Sequence, residues 1–112
     1  MVKTKSRFVA IECTKIADIT ESDTDNHILD LTGIVPPGTV CLFLRCERRS
    51  GSGDISGHPK NTVVTTVGIG NQNQKCMSVL PIKYPDLMYH QGVANDDWDV
   101  YLFGYIVESR TR

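Results

Sequence analysis

The chain has 112 residues, of which 40% are apolar and 22% charged, and its formal net charge is -1. This length suits one folded domain, residues 1–112, and the composition is that of a globular protein rather than a disordered one. A charge near zero disfavours a nucleic-acid binder, and no apolar run approaches the roughly 20 residues of a membrane helix.

Apolar residues in the first half of the chain recur mostly with a period of two, which is typical of β-strands. The pattern predicts strands at residues 8–13, 15–20, 27–31 and 39–48. An acidic turn is expected at residues 21–26. The prolines and glycines of residues 33–38 break the chain before the fourth of these strands.

The second half of the chain begins with residues 49–61, which predict a surface loop that could hold a short edge strand around Ile55. Strands are predicted at residues 62–69, 74–83 and 98–107, with a turn at residues 70–73. Residues 84–97 are expected to be irregular, with one helical turn at residues 86–89. Short antiparallel strands without a helical stripe indicate an all-β, single-domain β-sandwich of the jelly-roll type.

The closing strand at residues 98–107 is apolar on both faces. Strict alternation places Tyr101, Phe103 and Tyr105 on the face opposite Val100, Leu102 and Ile106. A two-layer sandwich buries only one face of each strand, so the second face needs another cover. That cover is either a second subunit or, in a tightly rolled barrel, the loops. The candidate oligomer interface consists of Phe43, Tyr101, Phe103 and Tyr105.

Motifs that carry catalytic or metal chemistry are weak in this sequence. His27, His58 and His90 are far apart, and the loop histidines are expected to be solvated rather than metal-ligating. The acidic run from Asp23 lacks the glycine and the glutamate of a calcium loop, because Ile28 and Ile34 stand at those positions. No catalytic residue, cofactor or metal site is therefore expected, and the protein is not expected to be an enzyme.

The four cysteines, Cys13, Cys41, Cys46 and Cys76, could form disulfides in a secreted chain. No signal peptide is recognised, because Glu12 interrupts the apolar stretch near the N-terminus. Free structural thiols are the preferred interpretation. An odd spacing places Cys41 and Cys46 on opposite faces of their strand.

The aromatic residues near the C-terminus allow a different function. Tyr and Trp have a flat apolar face and a polar edge, which suits stacking on sugar rings. Tyr84, Tyr89 and Trp98 are therefore the candidate glycan contacts of a carbohydrate-binding module. The alternative is that these rings fill the core and the subunit interface.

Two stretches resemble small β-sandwich modules of phage and virus surface proteins. Residues 33–45, GIVPPGTVCLFLR, are similar to the segment in which Ile, Pro and Gly precede a hydrophobic strand. Residues 98–106, WDVYLFGYI, are similar to the last strand of the same modules. Such jelly-roll domains occur in tail fibres, head fibres and capsid decoration proteins, commonly as trimers, and they are not enzymes.

The resemblance implies a non-catalytic structural or adhesion protein of the virion, assembled as a homotrimer. Capsid or tail proteins are then its expected partners, and surface glycans are the partners under the carbohydrate-binding alternative. The virion is the expected location, or the cytoplasm if the resemblance does not hold. Neither nucleic acid nor a membrane is an expected partner.

Overall fold

The computed structural model describes residues 3–59, 67–70 and 75–111, and every regular element within these ranges is a β-strand. The strands are β1 (Lys3–Ile19), β2 (His27–Asp30), β3 (Thr39–Ser50), β4 (Ile55–His58), β5 (Val67–Gly70), β6 (Lys75–Pro81), β7 (Asp86–Gln91) and β8 (Asp97–Thr111). The prediction of an all-β sandwich is confirmed.

The strands form two four-stranded antiparallel sheets. The first sheet has the order β1-β8-β3-β6, and the second has the order β2-β7-β4-β5. β1 pairs with β8, β2 with β7, β3 with β6 and β4 with β5. This nested pairing is what results when one long antiparallel hairpin is rolled over on itself, and it is the jelly-roll arrangement that the sequence predicted.

The hydrophobic core lies between the two sheets and is built from alternate positions of their strands. β3 contributes Leu42, Leu44 and Cys46, and β8 contributes Trp98, Val100 and Leu102. Side chains on alternate residues of a strand point to the same face, so each strand supplies the core with every second residue.

The turn before β3 depends on a glycine. Gly38 has a φ of +93°, and a Cβ at this position would lie 2.8 Å from the carbonyl oxygen of Glu108. The backbone N–H of Glu108 donates to the Gly38 carbonyl oxygen at 2.9 Å, which holds the turn against β8. Only glycine meets both requirements without strain.

β1 is one strand where the sequence predicted two. It pairs with β8 from Lys3 to Ile19, with register shifts between Ala10 and Thr14 and between Lys15 and Ala17. Each shift interrupts the alternation of apolar and polar residues, as β-bulges do. In the sequence, the interrupted alternation therefore resembles the end of a strand, although the hydrogen-bonded pairing with β8 continues.

The second sheet differs more from the sequence prediction. β7 occupies residues that were expected to be irregular, and the prediction of a helical turn at residues 86–89 is wrong. The inward side chains of β7 are Leu87, Tyr89 and Gln91. Because Gln91 is polar, the alternation of apolar and polar residues that is typical of a strand is not visible here. β4 was expected to be an edge strand but lies between β7 and β5. Of the predicted strand 62–69 and turn 70–73, only residues 67–70, which form β5, lie within the described residues.

We expect Leu44→Ala to lower the free energy of unfolding by about 2–5 kcal/mol, because this side chain is fully buried between the sheets. Urea unfolding followed by circular dichroism measures this loss. Ile28→Ala is the matched control, since Ile28 is 46% exposed, and it should cost less than about 0.5 kcal/mol. Equal losses for the two variants would contradict the assignment of the core.

Candidate assembly surface

The outer face of the first sheet, which points away from the second sheet, carries exposed apolar side chains. Phe8 of β1 is 52% exposed, and Met77 and Val79 of β6 are 67% and 51% exposed. Val79 lies directly opposite Phe43 of β3. Side chains paired across neighbouring strands share a face, so these residues form one apolar region.

Three phenylalanine rings form the centre of this region. The Phe43 ring lies 4.9 Å from Phe8 and 6.0 Å from Phe103, and both contacts are edge-to-face. Such pairs contribute ~0.5–1.5 kcal/mol beyond the burial of their surface. We call Phe8, Phe43 and Phe103 the aromatic cluster.

Gly104 makes room for this cluster. A Cβ at Gly104 would lie 2.8 Å from two ring atoms of Phe8, which is closer than any real side chain allows. Phe8 can therefore lie across β8 because position 104 has no side chain.

A register shift in β8 decides which residues belong to the outer face. Leu44 pairs with Leu102 and Phe43 pairs with Gly104, so Phe103 is an extra residue in β8. An extra residue of this kind is a β-bulge, and it reverses the alternation of faces for the residues that follow.

Because the alternation of faces is reversed after the bulge, one predicted interface residue, Tyr105, does not lie on the outer face. Tyr105 pairs with the buried Leu42 and packs against the core, whereas Ile106 pairs with the exposed Phe8. Strict alternation, which placed Tyr105 beside Phe103 and placed Ile106 on the inner face, is therefore wrong beyond the bulge. Phe43 and Phe103 do lie together on the outer face, as predicted.

Tyr101 marks the limit of the apolar region. It pairs with Arg45, whose guanidinium lies 4.7 Å from the centre of the Tyr101 ring. The same guanidinium lies 3.4 Å from Glu47. Tyr101 therefore lies on the predicted face, but a cation covers its ring, and charged residues follow it toward the start of β8.

The charged end of the outer face is an ion-pair network centred on Arg49. Its guanidinium donates to Asp18 at 2.7 Å and to Asp97 at 2.8 Å, and Lys15 lies 2.9 Å from Asp99. The hydrogen bond from Arg49 lowers the pKa of Asp97, and the hydrogen bond to Asp99 raises the pKa of Lys15. The side chains of Lys15, Asp18 and Arg49 are exposed, so their ion pairs add little stability. The pairs do place positive and negative charges at defined positions on this end of the face.

The predicted glycan contacts do not form an exposed aromatic platform. Trp98 is fully buried, Tyr89 is buried in the core, and Tyr84 is half-buried and packs against the core. A ring can stack on a sugar only if one of its faces is open to solvent. Trp98 and Tyr89 therefore do not have the role that the carbohydrate-binding alternative gave them.

The acidic turn after β1 is organised around His27. The Nε2 atom of His27 lies 2.7 Å from Asp23, its Nδ1 atom lies 3.4 Å from Glu21, and its ring stacks on Tyr89. The hydrogen bond to Asp23 raises the pKa of His27 and lowers the pKa of Asp23. Burial, reinforced by Glu21, raises the pKa of Tyr89 to about 12.

The other two histidines lie together, although they are 32 positions apart in the sequence and no motif links them. The rings of His58 and His90 are 6.5 Å apart on the second sheet. His58 is only 9% exposed, so the expectation that it is solvated is wrong.

The cysteines agree with the spacing argument. Cys41 is half-buried on the outer face and Cys46 is buried on the inner face of the same strand. Burial raises the pKa of the Cys41 thiol. Cys13 is exposed, and both Cys13 and Cys41 are free thiols. The side chain of Cys76 lies outside the described residues.

Sequence reasoning missed three residues of the apolar region: Phe8, Met77 and Val79. Met77 and Val79 are separated by one residue within a predicted strand, and this spacing alone places them on one face. What the sequence did not show was that this face points outward, because that depends on the pairing of β6 with β3.

The described ranges contain no pocket and no group of three side chains able to hold a metal ion. No helix within them is long and apolar enough to cross a membrane. No protein-family model, curated protein or solved structure matches the chain.

We expect the stability contributed by the His27 cluster to depend on pH. The pKa of His27 is raised in the folded chain, so its contribution is complete below the unfolded-state value near 6.5 and is lost as the pH rises through the folded value. The difference in unfolding free energy between the wild type and His27→Gln should therefore shrink as the pH is raised from about 6 through the folded-state pKa of His27. Urea unfolding across this range measures it, and a constant difference would contradict the assigned ion pairs.

Proposed function

We propose that this chain is a non-catalytic structural protein that assembles with copies of itself through the outer face of its first sheet. The observation that carries the proposal is the apolar region formed by Phe8, Met77, Val79 and the rest of the aromatic cluster. Contiguous exposed apolar patches on a folded domain usually mark contact surfaces.

The apolar contribution is comparable in size with the cost of association. Each large apolar side chain contributes ~1.5–3 kcal/mol when fully buried. Phe8, Met77 and Val79 each keep half or more of their surface in solvent, so most of that contribution is still to be gained. Two copies that cover these side chains mutually gain on the order of 5–10 kcal/mol, which lies within the 4–15 kcal/mol range of association costs.

The charged end of the same face favours a second copy over an unrelated hydrophobic ligand. The network of Lys15, Asp18, Arg49 and Asp99 offers both signs of charge beside the apolar region. A surface that contains both signs can complement its own copy, and closed symmetry then repeats one interface.

The virion assignment draws its support from the sequence resemblance. The two stretches that resemble phage and virus surface modules, residues 33–45 and 98–106, contribute to the central strands β3 and β8. They include Phe43 and Phe103 of the aromatic cluster. Jelly rolls are common in viral capsid domains. A capsid decoration or fibre component is therefore the proposed class, with a trimer as the proposed state and capsid or tail proteins as partners.

We expect light scattering on the purified chain at micromolar concentration to give about three times the monomer mass of 12.5 kDa. Val79→Asp should give the monomer mass with an unchanged circular dichroism spectrum, because the substituted side chain is half exposed and its charge disfavours burial at an interface. Ile28→Asp is the matched control on the second sheet and should keep the mass of the wild type.

A wild-type mass of 12.5 kDa would overturn the assembly proposal, and so would an unchanged mass for Val79→Asp. The virion part is tested separately by the genes beside the coding sequence. Capsid, portal or tail genes support it, whereas polysaccharide-degrading genes would replace it with the carbohydrate-binding alternative.

A further inference from the structure

His58 and His90 lie on the outer face of the second sheet, on neighbouring strands. His58 of β4 pairs with Met88 of β7, and Ser56 pairs with His90. The two histidines are therefore diagonal neighbours on one face, a spacing that long and aromatic side chains bridge. Their ring centres are 6.5 Å apart and their planes are tilted by 55°.

The hydrogen bonding of His58 fixes which of its nitrogens is available. Its Nδ1 atom lies 3.0 Å from the carbonyl oxygen of Pro59. A carbonyl oxygen only accepts, so Nδ1 carries the proton and the neutral ring has its lone pair on Nε2. Metal-binding histidines usually donate their other nitrogen to a carbonyl or carboxylate in this way.

His90 has a buried nitrogen that the protein leaves unsatisfied. Its Nδ1 atom is buried and has no hydrogen-bond partner. Leaving a buried polar atom without a partner destabilises a folded domain, so such an atom calls for a bound water or ion. The unsatisfied nitrogen belongs to the ring beside His58.

We infer that His58 and His90 together bind a divalent transition-metal ion such as Zn²⁺, through Nε2 of His58 and Nδ1 of His90. Imidazole nitrogens bind such ions at about 2.0–2.1 Å, so binding requires both rings to turn toward one ion. Water completes the coordination. The site is on the opposite side of the sandwich from the aromatic cluster, so it does not depend on the proposed assembly.

The test is a titration of the whole chain with Zn²⁺, followed by NMR correlation of the imidazole nitrogens. The chain has three histidines, so each nitrogen signal can be assigned by substitution. The background carries Cys13→Ser, because an exposed thiol also binds Zn²⁺. We expect the signals of His58 Nε2 and His90 Nδ1 to shift together as the ion is added.

Substitutions separate this site from the remaining histidine. His58→Asn and His90→Asn should each weaken Zn²⁺ binding by at least about tenfold, whereas His27→Asn should leave it unchanged. Shifts confined to His27 would overturn the inference and assign the ion to the carboxylates around that ring. Absence of any imidazole shift would also overturn it, and a bound water would then satisfy His90.

Discussion

The extra residue at Phe103 decides how the first sheet divides its side chains between the core and the outer face. Before the bulge, Val100 and Leu102 point inward, and after it Tyr105 points inward. Without the bulge, Tyr105 would lie outside and Ile106 would enter the core. One residue therefore allows the apolar run of β8, residues 100–107, to complete both the core and the aromatic cluster.

β8 can have this role because it lies between β1 and β3 in the sheet. Its neighbours fix its register on both sides, so a slip of one residue would have to break two ladders at once. Gly104, next to the bulge, leaves the space in which Phe8 of β1 lies against Phe43 of β3. The aromatic cluster thus crosses three strands, and its shape depends on the absence of a side chain at one position.

The sequence predicted those features that depend on local pattern. Alternation in residues 39–48 and 98–107 identified β3 and β8, and turn residues separated them well enough to indicate the jelly roll. These features depend on neighbours along the chain, which a sequence shows directly.

Features that depend on register between distant strands were not predictable. The bulge at Phe103 is visible only when β8 is aligned with β3, and so Tyr105 was placed on the wrong face. β7 was missed because its buried Gln91 is polar. The Gln91 side chain instead bonds to loops, accepting from the Glu21 backbone N–H and donating to the Asp96 carbonyl.

Strand register also gives the outer faces of the two sheets different chemistry. The outer face of the first sheet is apolar around the aromatic cluster, where a second copy would gain free energy by removing Phe8, Met77 and Val79 from water. The outer face of the second sheet is different, because the pairing of β4 with β7 brings two imidazoles together and leaves one nitrogen buried without a partner. Exposed apolar side chains are covered best by the large surface of another protein, whereas one unsatisfied nitrogen needs only a small polar ligand. We therefore propose a protein partner for the outer face of one sheet and an ion for the outer face of the other.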